Sequence, residues 1–436
     1  MRILYRRCAG LDVHKASVVA CVLALQEGSR VEEQVRRFGT MTEDLRELAA
    51  WLNSQQVERV AMESTGVYWK PVWNILEAAG LDQLLANAQQ VKALPGRKTD
   101  QKDSQWLADL LMHGLLRNSF VPSRGIRDLR DLTRSRARLA QWHGTIANRI
   151  QKVLEDANIK LASVASDVLG ASGRLMLRAI MGGNTDSNAL ADLSKGRLRE
   201  KIPQLRKALE GQVSGHHRLL LQRYWEQYQF LERQLTKIDA EISRRMKYTT
   251  EELAQVKASL PAAALLPPCP RQAALGYWME LPGISVVSGS SIVAEIGVDM
   301  TQYPSAAHLA SWATLCPGHD ESAGKRRSGR TRKGNKWLRR TMSEAAWAAS
   351  HTKNTYFAAQ FRRIAARRGK KRANIAVAHS LLVTGYTMLT NRSHYKEVGA
   401  SFFDSLNREK VKKSAVKKLE ALGYEVTLQA AEPTGH

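Results

Sequence analysis

CAGLDVHKASVVACVLAL, residues 8–25, holds two apolar runs separated by His14-Lys15, with a single acid, Asp12, set inside the first run. Apolar runs of this length, broken by a short polar step, read as the two strands of a hairpin. Working outward, EEQVRRFGT (32–40) reads as a third strand and VERVAMES (57–64) as a fourth. Between them TEDLRELAAWLNSQ (42–55) carries the apolar period of a helix, with Thr40 or Thr42 as N-cap and acids in its first turn. A second helix is predicted around WKPVWNILEAAG (69–80) and a fifth strand within GLDQLLANA (80–88). Residues 1–120 are therefore expected to form an α/β domain with a mixed sheet.

Past this region the pattern turns to long helices, and residues 121–270 are expected to be basic helices and a coiled coil. Leu129, Leu132, Leu139, Ile146, Ile150 and Val153 follow three-four steps, with Arg136 and His143 occupying two seam positions. The same helix carries Arg124, Arg127, Arg130, Arg134, Arg138 and Arg149, so at least one face is strongly basic. Residues 160–212 are less periodic, with Gly182-Gly183 and Pro203 as breakers. Leu221, Tyr224, Tyr228, Leu231, Leu235, Ile238 and Ile242 then resume the alternating steps of a seam. Such a seam serves equally an intramolecular helix hairpin or a dimer. AALLPPCPRQ (263–272) reads as a linker.

Residues 271–355 form the next expected domain. MELPGISVVSGSSIVAEIG (279–297) gives a helix end, a Pro-Gly turn and a second helix, either an ordinary αα turn or a helix-hairpin-helix offering backbone N–H groups to a DNA phosphate. The helix SAAHLASWATL (305–315) leads into HDESAGKRRSGRTRKGNKWLRR (319–340), where Ser322 stands between two acids and nine Lys and Arg residues. No histidine spacing or Gly-x-Ser-x-Gly elbow marks a serine hydrolase there. A basic helical tail, 356–436, carries FRRIAARRGKKR (361–372), the partly apolar NIAVAHSLLVTGYTML (374–389) and NREKVKKSAVKK (407–418).

Charge narrows the partners. Lys and Arg number 66 against 41 Asp and Glu, a net charge of +25 with a pI near 10.1. That surplus points to a polyanion, and nucleic acid leads because the longest apolar run, ASVVACVLAL (16–25), is too short to span a bilayer. Cys8, Cys21, Cys269 and Cys316 lie far apart without a Cys-x-x-Cys pair, which argues against a zinc site and a disulfide framework and fits a reducing cytoplasm.

Within so basic a chain the acids at strand ends stand out. Asp12 lies in the first strand, Glu63 at the end of the fourth, and Asp100 and Asp103 sit i, i+3 in KTDQKDSQWLADLL (98–111), on one face of a helix that Thr99 can cap. Taken alone the last pair reads as the acidic first turn of a helix. Four acids from three elements, if gathered, repel one another unless a hard divalent cation such as Mg²⁺ neutralises them, and metal so held polarises a phosphodiester.

GLDVHK, MESTGVYW and KTDQKDSQWLADLL, followed by LPGIS, SAGKRRSG and TRKGNKWLR, resemble the DEDD insertion-sequence transposases of the IS-one-ten family, in the same order and over most of the chain. The resemblance implies a RuvC-like (RNase H-like) domain joined by a coiled coil to a transposase domain with a serine nucleophile. It implies a recombinase that excises and inserts its own element, paired to donor and target DNA by an element-encoded non-coding RNA. The catalytic and metal-holding carboxylates fall on Asp12, Glu63, Asp100 and Asp103, and the nucleophile on Ser322, with Ser328 in RRSGR a competitor because Ala323 separates Ser322 from Gly324. Residues 160–212 and the tail beyond 390 are additions relative to compact members.

A serine inside a basic loop is chemically coherent. Arginine and lysine donors stabilise the charge of a pentavalent phosphorane without a histidine. Contacts to nucleic acid are expected from Arg130, Arg134, Arg138, Lys325, Arg326, Arg327, Arg330, Arg332, Lys333, Arg339 and Arg340. The expected assembly is a homo-oligomer, a dimer or a synaptic tetramer, in the bacterial cytoplasm at the nucleoid and away from membranes. Two rivals stay open: a RuvC-type, metal-dependent, structure-selective endonuclease with water as nucleophile, and a non-catalytic nucleic-acid scaffold.

Overall fold

A computed structural model describes residues 3–26, 30–64, 66–87, 91, 103–247, 252, 254, 270–318, 321–322, 325–326, 331, 334–405 and 408–428. The chain divides into two compact units, Met1–Val121 and Pro122–His436.

In the first unit the hairpin is formed by β1 (Arg7–Val13) and β2 (Val18–Leu25), closed by the His14 amide donating to the Ser17 carbonyl at 2.9 Å. β3 (Val31–Phe38) adds antiparallel to β2, while β4 (Arg59–Glu63) and β5 (Gln83–Ala86) add parallel on the other side, giving the order β3-β2-β1-β4-β5. The mixed sheet is thus as expected. Its period of two sends Ala9, Leu11, Val13, Val60 and Met62 to one face, where they meet α1 (Thr42–Ser54) and α2 (Trp69–Ala78). Cys8, Ala61 and Leu84 go to the other face, against α3 (Asp103–Met112) through Leu107, Ala108 and Leu111.

Two local expectations change. The N-cap of α1 is Met41, and Asp44 reaches back to accept from the Met41 amide at 3.0 Å, while the Thr40 hydroxyl donates to the Lys15 carbonyl at 3.0 Å. Tertiary demand for that turn outweighed the capping preference of threonine. Thr99, the expected cap of the next helix, lies outside the described residues.

The second unit is helical. α4 (Arg124–Asp156) leads through α5 (Leu161–Val164), α6 (Ala171–Met181), α7 (Ser187–Asp192) and α8 (Ile202–Ala208) to α9 (Gly215–Arg245). The heptad seams of α4 and α9 meet each other within one chain and run antiparallel, with Arg136 on Asp239 at one end and His217 on Asp156 at the other. The intramolecular hairpin is therefore the partner that the seam finds here. Both polar seam positions are absorbed: Arg136 pairs with Asp239, and His143 stacks on Tyr228 with ring centroids 4.0 Å apart. The weakly periodic 160–212 stretch supplies Leu161, Leu177, Ile180, Leu190 and Leu205 to the same core as Ile150, Leu221 and Trp225.

α10 (Pro270–Met279) begins inside the stretch expected to be a linker, whose residues 263–269 lie outside those described. α11 (Val286–Ile296), α12 (Ala306–Trp312), the short hairpin β6 (Glu321–Ser322) and β7 (Lys325–Arg326), α13 (Lys336–His351), α14 (Tyr356–Arg368), α15 (Lys370–Asn391), α16 (Phe402–Ser405) and α17 (Arg408–Ala421) follow. The second unit, from Pro122 on, includes residues of all three segments 121–270, 271–355 and 356–436.

Candidate active site

β1 and β4 run side by side in parallel, with Leu11 opposite Met62. The next residues along each strand are Asp12 and Glu63, and strand alternation puts both on the α3 face. Gly10 explains how close α3 comes: a Cβ there would stand 2.2 Å from the Ser104 carbonyl oxygen and 2.5 Å from the Ala108 amide nitrogen. Further down the strand, Cys8 donates its thiol to the Ala108 carbonyl at 3.4 Å. The helix therefore runs opposite to β1, and its first described residue, Asp103, belongs to the end of β1 where Asp12 stands. Asp12, Glu63 and Asp103 share one edge of the sheet, each half-buried. Asp100 lies outside the described residues.

The carboxylate of Asp12 is bonded to Nε2 of His14 at 2.9 Å, across the turn of the hairpin. Among the described residues no group of three or more His, Cys, Asp or Glu side chains stands close enough to hold a metal ion. The donor chemistry nonetheless suits a hard divalent cation, since the three acids at this edge offer oxygen alone. Behind them, burial pushes the thiols of Cys8 and Cys21 up to about 12, so neither competes as a ligand or nucleophile at neutral pH.

In the second unit Ser322 lies in β6, paired backbone to backbone with Lys325 of β7. The stem below this hairpin is closed by a bridge between Pro317 and Thr331. Gly334 packs on Thr314, where a Cβ would fall 2.2 Å from the threonine methyl. Arg327, Ser328, Arg330, Arg332 and Lys333 lie outside the described residues, as do the side chains of Ser322, Lys325 and Arg326.

The arginines of α4 divide. Arg138 is exposed, 5.5 Å above the Trp337 ring. Arg130 and Arg134 turn instead to Glu295 of α11, which is only 2 % exposed. Arg134 grips the carboxylate with two bonds of 2.7 and 2.8 Å, and Arg130 donates to the carbonyls of Ala294 and Glu295 at 3.0 and 2.7 Å. Burial lowers the pKa of Arg130, and Glu295 opposes that shift. Both guanidinium groups thus serve an internal ion cluster, where a nucleic-acid contact had been expected. The Nδ2 of Asn335 donates to the same carboxylate at 2.6 Å. Glu295 was legible as the lone acid in the apolar run SIVAEI, a pattern that marks a buried partner.

Arg339 is half-exposed, and exposed Arg340 is paired with Glu344 one turn on at 2.8 Å. Beside them a cavity of about 240 Å³ opens between α4, α11 and α13, lined by Thr133, Arg136, Ser285, Ser288, Arg340 and Thr341. The Pro-Gly turn borders it: Gly283, at φ +81°, lies against α13, where a Cβ would meet the Ala345 carbonyl at 2.4 Å. Among the described residues no helix is long and apolar enough to cross a membrane.

Comparison with known families bears directly on what an acid-bearing sheet end followed by a basic helical unit does. A DEDD transposase profile of the IS110 group, described as Transposase, matches residues 9–159, and a second, described as Transposase IS116/IS110/IS902 family, matches residues 277–362. No curated protein matches the chain. The chain belongs to the IS110 family of DEDD transposases. Asp12, Glu63, Asp100 and Asp103 fall inside the first match, and Ser322 and Ser328 inside the second.

Proposed function

We propose that this transposase excises and inserts its own element by cutting and rejoining DNA with two sets of groups, the carboxylates Asp12, Glu63, Asp100 and Asp103 and the hydroxyl of Ser322. The observation that carries the reading is the shared edge: Asp12 and Glu63 follow an in-register pair of neighbouring strands, and Asp103 opens the helix lying over that face. These acids would hold Mg²⁺, which when bound polarises a phosphate oxygen as a Lewis acid.

Ser322 attacks the phosphorus of a scissile phosphodiester. An Oγ–P bond forms as the Ser322 hydroxyl gives up its proton, a P–O bond to deoxyribose breaks, and the departing sugar oxygen takes up a proton in its place, so that no net proton is gained or lost. Attack by the hydroxyl of another strand on the phosphoserine reverses these changes and seals the new junction without an outside energy source. Lys325, Arg326, Arg327, Arg330, Arg332 and Lys333 supply the positive charge that the phosphorane needs. Arg138, Arg339 and Arg340 contact the nucleic-acid backbone, and an element-encoded RNA carries target choice by base pairing, so the protein reads shape and charge. The functional species is a homo-oligomer in the bacterial cytoplasm, bound to the nucleoid.

The test is a denaturing gel of protein incubated with element-end DNA, Mg²⁺ and its RNA. A covalent protein–DNA band is expected from the native chain and from Ser328→Ala, and none from Ser322→Ala, which still binds DNA. A band that survives Ser322→Ala sinks the assignment. Free cleaved ends with no band from any chain instead establish the alternative, a RuvC-type endonuclease using water, whose metal-binding acids would all lie in Met1–Val121. Sequencing the RNA that copurifies tests guidance, and mixing Ser322→Ala with Asp12→Ala protomers tests whether one site draws on two chains.

A further inference from the structure

Asn335 has two ends and uses both. Its Oδ1 accepts from the amides of Trp337 and Leu338, each at 3.1 Å, and so caps α13. Its Nδ2 donates to Glu295 at 2.6 Å, and Glu295 is in turn clamped by Arg134 and Arg130 of α4. The cap therefore needs only half of this side chain. The other half ties the chain, where it leaves the basic hairpin, to a buried ion cluster.

The stem that leads to this tie is closed in two further places. Pro317 bridges Thr331, and Gly334 rests on Thr314, a buried residue at φ +57°. Thr314 and Gly334 pin the two arms of the stem to each other, and the Thr314 amide ties the first arm to α12 by donating to the Ser311 carbonyl at 3.1 Å. The second arm, ending at Asn335, is tied by Glu295, which belongs to α11 and is held by α4. Its negative charge is what lets it do so in a buried place, for it forms ion pairs with two arginines while accepting from Asn335.

We infer that Glu295 is a positioning residue for the hairpin carrying Ser322, acting through Asn335. The direction in which that hairpin leaves the helical unit is set by this carboxylate, and α4 contributes to the reaction by holding it. The structural part stands on the contacts themselves; the catalytic consequence rests on Ser322 being the nucleophile.

Asn335→Ser separates the two roles. Serine still caps α13 but has no amide to offer Glu295. Two measurements on the full-length chain are then compared with native protein: amide hydrogen exchange, and the fraction of bound DNA converted to covalent adduct. The expected result is unchanged protection along α13, exchange at Leu315–Cys316 and at Ser322 and Lys325–Arg326 faster by about tenfold, and an adduct rate lower by roughly tenfold to a hundredfold at unchanged DNA affinity. Glu295→Gln keeps an acceptor for Asn335 but leaves Arg134 and Arg130 without their counter-charge, so it should lower protection along α4 and α11 as well as in the stem.

Native exchange in the stem of Asn335→Ser overturns the inference, and so does faster exchange with a native adduct rate. A loss of adduct that only tracks loss of folded protein overturns it as well. If the native chain forms no Ser322-dependent adduct while the stem still loosens in Asn335→Ser, the positioning role stands and the serine assignment fails.

Discussion

Gly10 of β1 and Ser104 of α3 meet without a side chain between them: a Cβ on Gly10 would stand 2.2 Å from the Ser104 carbonyl oxygen. This close approach sets how near Asp103 comes to the strand end that carries Asp12. Gly10→Ala pushes the helix off the sheet, and the overpacking should cost about 1–3 kcal/mol. Urea unfolding followed by Mg²⁺-dependent cleavage on the same sample checks it, with cleavage lost well beyond the unfolded fraction. Native cleavage in a folded Gly10→Ala chain would show that this approach does not matter.

Asp12→Asn and Glu63→Gln keep size and remove charge. Each should lower Mg²⁺-dependent strand cleavage by about a hundredfold or more, while DNA affinity holds or rises because a negative group beside a phosphate has gone. Single-turnover cleavage and a filter-binding titration separate the two effects. A scaffold without catalysis would leave every assay of Glu63→Gln unchanged.

The arginines of the second unit are separated by salt. Arg339→Ala with Arg340→Ala should flatten the dependence of log affinity on log salt by about 2, one for each phosphate no longer neutralised. Arg134→Ala should leave that slope alone and instead destabilise the fold by about 3 kcal/mol, since it strips a partner from a carboxylate that is 2 % exposed. A slope flattened by about 1 in Arg134→Ala would return Arg134 to the nucleic-acid surface.

Acid should loosen the α4–α9 hairpin at His143. Burial against Tyr228 lowers the pKa of this histidine, Glu232 raises it and Arg174 lowers it further, with burial the largest effect. The unfolded chain binds a proton near the ordinary histidine value of about 6.5, and the folded chain only at lower pH. The stabilisation is thus whole above that value and declines as pH falls from it toward the depressed folded value. Melting temperatures at pH 7.5 and 5.5 should differ by less in His143→Gln than in the native chain. An equal difference in both removes His143 as the cause.

Much of the first unit could be read from single residues. The alternation in CAGLDV and VERVAMES defined which side chains share a face, so Asp12 and Glu63 were recognisable as strand-end acids before any packing was known. Thr40 illustrates the opposite: its preference for capping was outbid by a turn that needs its hydroxyl at Lys15. Capping differences amount to about 1 kcal/mol, small enough for one tertiary contact to reverse.

The sequence by itself determined the mixed sheet, the order of its strands along the chain, the two long seams and the net basic charge of the chain after residue 120, because each follows from periodicity and charge that neighbouring residues carry. Only the tertiary structure decided that α9 closes on α4 within one chain, that Gly10 admits α3 to the carboxylate edge, and that Arg130 and Arg134 answer to Glu295. The physical reason is common to all three. A seam, a glycine or an arginine declares what it can bury or bind, and the partner is chosen by distances across the fold, between residues such as Arg134 and Glu295 that no local pattern connects.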